Sequence, residues 1–146
     1  MHRILIAAVA YLLLGLFLSA LYRLFIRLIQ FDGPTAFGSM YMYTFVLGTL
    51  FFLLLSIVDK YFELSDHSLF TRWFILYNVG LIWTVSGMAI QNVVTALYGQ
   101  QVWDATLSGV VGIGHLIVAI SWCWLFSIIY VAIRGDIQAG DHLHFR

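Results

Sequence analysis

The chain has 146 residues, of which 62% are hydrophobic and 10% charged, and its seven basic and seven acidic side chains cancel. A soluble domain carries about 45–50% apolar and about 25% charged residues, so the composition excludes an ordinary water-soluble globule, and the lack of a basic excess excludes an electrostatic footprint for nucleic acid. A single cysteine, Cys123, excludes an internal disulfide, and a single proline, Pro34, excludes long disordered linkers.

A hydrocarbon core of about 30 Å needs about 20 apolar residues at a rise of ~1.5 Å each. Four runs reach that length: 4–22, 37–58, 73–95 and 107–133. Unbroken stretches of this kind are too long for barrel strands, which take about 9–11 residues of alternating polarity. The expected fold is therefore all-α, an integral membrane four-helix bundle that runs up-down-up-down with short loops, in one transmembrane domain.

The first run follows His2 and Arg3 and so resembles a signal peptide, but it is longer than the usual ~7–15 residues, and Leu18 stands where cleavage after Ala20 wants a small side chain. It reads as a retained span. Behind it, Arg23 and Arg27 lie four apart among apolar residues, which predicts an interfacial helix over 23–31 that Gly33 and Pro34 stop. Between the second and third runs, Asp59, Lys60, Glu63, Asp66 and His67 read as a solvated loop. Trp73, Trp103, Tyr61, Tyr98 and Tyr130 fall near span ends, where aromatic belts form.

Basic residues set the orientation. Arg3, Lys60, Arg72, Arg134 and Arg146 lie on one side, against Arg23 and Arg27 on the other, so the positive-inside rule puts both termini in the cytoplasm.

Helices in lipid approach closely where side chains are small. Each run offers one such pair at i, i+4: Gly15 and Ser19, Thr44 and Gly48, Gly80 and Thr84, Ser108 and Gly112. Four helices closed on one another fill their centre, so a pore or substrate path needs a second copy or a partner.

Intramembrane ionisable residues are rare and informative, and His115 is the one that lies well inside a run. Matching depths along the helices places Tyr41, Tyr43, Thr44, Ser86, Gln91, Ser19 and Tyr22 near its level, a polar cluster in the outer half of the bundle. Three readings stay open there. His115 is a packing histidine hydrogen-bonded to a tyrosine or Thr44, or it ligates haem or a metal, or it serves a proton relay or substrate contact. Asn78 reads as a separate interhelical hydrogen bond. The tail histidines, His142 and His144, read as solvated.

The strings Tyr41-Met-Tyr-Thr-Phe-Val-Leu-Gly-Thr-Leu-Phe-Phe-Leu, Asp59-Lys-Tyr-Phe, Tyr77-Asn-Val-Gly-Leu and Ser108-Gly-Val-Val-Gly-Ile-Gly-His are spread over nearly the whole chain. Together they resemble the bacterial membrane family known as domain of unknown function 2871. The resemblance implies four spans and no established activity. It also implies a histidine-rich intramembrane site, since members carry His-Thr-His where this chain has Tyr41-Met42-Tyr43, whereas His115 matches. With both earlier histidines replaced by tyrosine, one copy cannot supply two histidines to a haem; Tyr41, Met42 and Tyr43 are the remaining candidates beside His115.

The expected function is a structural or accessory membrane protein of the bacterial plasma membrane, working as a homo-oligomer or in a larger complex, with the lipid bilayer as its first partner. A haem- or quinone-binding redox module on His115 ranks second and a small transporter or channel component third.

Overall fold

The computed structural model describes residues 2–30, 37–99, 102 and 104–143, and of residues 29, 37, 38 and 136–143 the backbone alone. The predicted Trp103, the Gly33-Pro34 stop and the side chains of His142 and His144 lie outside the described residues. The protein is all-α: α1 is His2–Ile29, α2 is Phe37–Tyr43, α3 is Phe51–Phe62, α4 is Phe70–Tyr98 and α5 is Ala105–Leu143. A π-helical segment, Thr44–Leu50, joins α2 to α3 in one continuous rod. Four stretches are long and apolar enough to cross a membrane: His2–Leu28, Ser39–Phe62, Phe70–Tyr98 and Ala105–Gly135.

α1 is a single helix of 28 residues, about 42 Å long, that carries Arg23 and Arg27 near its end. It ends where Gln30 takes a left-handed backbone, φ 49°. The turn after α3 uses the same device: Glu63 has φ 47°, and its N–H reaches back to the Asp59 carbonyl. Asp59 departs from the solvated loop expected for it. It is 3% exposed, and its carboxylate accepts from the Ser65 N–H (2.6 Å) and the Ser65 hydroxyl (3.1 Å), which pins the loop under the helix end.

Neighbouring rods are antiparallel. Tyr11 and Gly15 of α1 meet Gly48 and Phe45, while Trp73 and Trp83 of α4 donate to the carbonyls of Ser121 and Val110 on α5 (2.8 and 2.9 Å). The α2–π–α3 rod and α4 touch each other at the middle of the bundle. Among the described residues α1 and α5 do not meet: α1 packs on the rod and reaches α4 through the Tyr11 hydroxyl, which donates to Asn78 Oδ1 (2.9 Å), and α5 packs on α4 and on α3.

The centre is aromatic. Phe51 and Tyr77 bring their ring centroids within 4.7–6.3 Å of each other and of Phe52 and Trp73, in tilted, stacked and edge-on arrangements that such rings favour. Trp73, expected in an interfacial belt, is fully buried here, because its indole N–H finds the Ser121 carbonyl inside the bundle. Tyr61 and Tyr98 are exposed near helix ends, and Tyr130 is exposed near the end of the apolar stretch Ala105–Gly135.

Glycines set the close approaches. A Cβ on Gly48 would lie 2.5 Å from Tyr11 Cβ, one on Gly80 2.7 Å from Ile117, and one on Gly114 2.5 Å from the Thr84 hydroxyl. Gly15 abuts Phe45, Thr44 is buried, and Ser19 is half-buried. The α4–α5 contact thus runs through Gly80, Thr84, Gly87 and Gly114 rather than through the expected Ser108 and Gly112. Ser108 is exposed, and nothing lies within 4 Å of the place a Cβ on Gly112 would take. The reason is helical phase: Gly114 stands two residues, about 200°, round the helix from Gly112.

Candidate functional site

The inward face of α5 is set by Gly114, Val118, Ser121, Leu125 and Ile128, a four-three-four-three spacing that keeps one stripe against the bundle. His115 follows Gly114 by one residue and so points about 100° away from that stripe. The side chain is exposed, not enclosed within the bundle as a polar cluster in its outer half requires. Among the described residues it meets one ring, that of Tyr43, edge-on with centroids 5.6 Å apart.

Three consecutive helical residues point in three directions, which decides what Tyr41, Met42 and Tyr43 can do together. Tyr43 is half-buried and reaches His115; Tyr41 is half-buried and makes no ring contact with it; Met42 is exposed. A cavity of about 420 Å³ runs along this side of the rod, lined by Ser39, Met42, Tyr43, Val46 and Leu47. Among the described residues no hydrogen bond reaches either nitrogen of His115 or the Tyr43 hydroxyl. Thr44, the other partner expected for His115, turns inward, and its hydroxyl donates to the Met40 carbonyl (3.0 Å).

The rest of the expected polar cluster disperses. Ser86 lines a separate apolar groove of about 540 Å³ between α4 and α5, walled by Ile82, Trp83, Ile90 and Val110. Tyr22 lines a third, of about 240 Å³, with Phe25, Met40 and Val93. Asn78 joins α1 to α4 and donates its amide to the Phe74 carbonyl (2.7 Å), the interhelical role expected for it. Matching depth alone could not bring these groups together, because they sit on different faces of their helices.

The second rod holds a feature that apolar periodicity does not reveal. Within Thr44–Leu50 the turn is widened, and the Phe51 N–H reaches the carbonyls of Val46 and Gly48, passing over that of Leu47. The Tyr77 hydroxyl donates to the Leu47 oxygen instead (2.7 Å). Elsewhere in the bundle, buried Ser and Thr hydroxyls return to the carbonyl four residues back, as Thr84 does to Gly80 and Ser121 to Ile117 (2.9 and 2.8 Å). Thr49 lies inside the widened turn, where that carbonyl is displaced, and its buried hydroxyl has no partner among the described residues.

The order of these residues along the chain matches the model of a family described as a protein of unknown function (DUF2871), over residues 1–132. The chain belongs to this family. The match covers all four candidate spans except the end of α5, so both Tyr43 and His115 fall within the shared family region. No curated protein and no solved structure matches the chain. Membership fits a four-span membrane protein and brings no activity with it. Among the described residues no group of three or more His, Cys, Asp or Glu side chains gathers as a metal site.

Proposed function

We propose that this family member is a structural or accessory subunit of the bacterial plasma membrane, with both termini in the cytoplasm, that works as an oligomer or within a larger membrane complex. The observation that carries this reading is the outward position of His115: the bundle interior is filled by aromatic rings, and the polar group that lipid cannot serve faces away from it. A side chain of that kind is served by another protein surface. The test is mass in a mild detergent, corrected for the micelle. The expected protein mass is at least twice the 16.6 kDa of one chain; a single chain with no companion overturns the reading.

A second reading has its own observation. The edge-on contact of Tyr43 with His115 beside a cavity of about 420 Å³ suits a flat cofactor, haem or quinone, held by one imidazole per copy with Tyr43, Met42 or Tyr41 nearby. The haem form predicts a Soret band in the purified protein that His115→Ala removes. A colourless protein, or a band unmoved by that substitution, rejects it.

A further inference from the structure

We infer that the outward face of α5 is the contact surface for a second copy of this chain, with the two His115 imidazoles paired across a two-fold axis normal to the membrane. The inference rests on the oligomeric reading above and names its surface.

His115 lies ten residues into α5, about 15 Å along the helix, which is mid-depth for a core of about 30 Å if α5 enters it near Ala105. Lipid chains offer an imidazole neither donor nor acceptor. A neutral imidazole carries one of each and is therefore complementary to its own copy: the N–H of one ring meets the bare nitrogen of the other. Copies inserted in the same orientation present His115 at the same depth, so a parallel two-fold contact brings the rings together without any group from a different protein.

The surface around it permits a close approach. Ser108, Gly112, Ala119 and Cys123 follow at intervals of four, seven and four residues and so share the face of α5 opposite its buried stripe. A Cβ on Gly112 meets nothing within 4 Å in one copy, so that position is open to another helix. Leu116 and Phe126, 64% and 58% exposed, flank that face, whereas the outward face of α1 has no glycine at all: Gly15 turns inward against Phe45, and Leu13 and Phe17 stand 62% and 61% exposed.

Cys123 is the only cysteine, is exposed, and stands on the proposed face, so the unaltered protein carries its own reporter. Copper–phenanthroline oxidation of the full chain in liposomes is expected to give a disulfide-linked pair, as is Ala119→Cys in a Cys123→Ser background. Leu13→Cys in that background is expected to stay single. In the same liposomes, energy transfer between labelled copies is expected to show His115→Leu weakening association about fivefold to thirtyfold, the worth of a good interhelical hydrogen bond. His115→Asn, which keeps a donor and an acceptor, is expected to restore most of it. Gly112→Leu is expected to weaken association at least as much without lowering helix content or thermal midpoint, because the bundle itself does not touch that position. An oligomeric mass with cross-linking at Leu13→Cys and none on α5 overturns the inference and leaves the oligomeric reading standing; a single-chain mass without cross-links removes both. Cross-linking on α5 with affinity unmoved by His115→Leu overturns the imidazole pair.

Discussion

Among the described residues α1 and α5 do not touch each other, and they divide their residues differently. α1 turns its one glycine inward, Gly15 against Phe45, and between Leu5 and Leu21 its exposed side chains are aliphatic or aromatic, Leu13 and Phe17 the most open of the large ones. α5 sends Gly114 inward against Thr84 but keeps Gly109 and Gly112 outside, in open space, beside His115. Both helices satisfy their backbone within themselves, so the difference concerns the neighbour each outer face expects. Hydrocarbon suffices for α1, whereas the α5 surface has the small residues and polar group that helices use to meet other helices.

The largest effect expected separates inward from outward glycines. Gly48→Ala places a methyl 2.5 Å from Tyr11 Cβ, and forcing the α1 contact apart costs about 1–3 kcal/mol, at the upper end because neither atom can swing away. Better helix propensity returns at most about 1 kcal/mol, so a net loss of about 2 kcal/mol is expected in a denaturant titration of the detergent-solubilised chain. A neutral or stabilised Gly48→Ala breaks the inward half of the comparison. Trp73→Phe comes next. It keeps most of the ring packing and deletes the indole N–H bond to the Ser121 carbonyl, which buried interhelical hydrogen bonds in membranes value at about 0.6–1.7 kcal/mol. About 1 kcal/mol is expected by the same titration.

How much of this was legible in the sequence depends on which physical signal wrote it. Length and apolarity reveal the four helices, because a bilayer demands some 20 residues per crossing whatever the packing. Gly48 and Gly80 were identifiable as contacts from their spacing to Thr44 and Thr84. Ser108 and Gly112 carry the same spacing but face outward, since a motif that recurs at four residues says which residues share a face and not which way that face turns. His115 shows the same limit: its place along the helix can be read from the sequence, the direction in which it points cannot. The π segment left no pattern in hydropathy, because Thr44–Leu50 is as apolar as an α-helix and the extra residue per turn shows only in where the Leu47 carbonyl and the Thr49 hydroxyl end up. Trp73 sat at the predicted edge of a span and looked interfacial; the partner that draws it inward, Ser121, is 48 residues away.

The smallest effects expected test the outer faces directly, on the dissociated chain at high detergent-to-protein ratio. Gly112→Ala adds a methyl that meets no atom of the bundle, so no clash opposes the propensity gain, and stability is expected to rise by about 0.5–1 kcal/mol. Its sign is opposite to that of Gly48→Ala although the substitution is identical, because Tyr11 stands beside Gly48 and nothing of the bundle stands beside Gly112. Leu13→Ala trims a side chain that touches little of the protein, and a change within about 0.5 kcal/mol is expected. If Gly112→Ala instead destabilised the single chain, α5 would have to pack inside its own bundle more tightly than the open space around Gly112 allows, and the asymmetry between α1 and α5 would vanish. If Leu13→Ala cost as much as Trp73→Phe, the leucine surface of α1 would belong to a protein contact too, and the two outer faces would have to exchange the roles assigned to them.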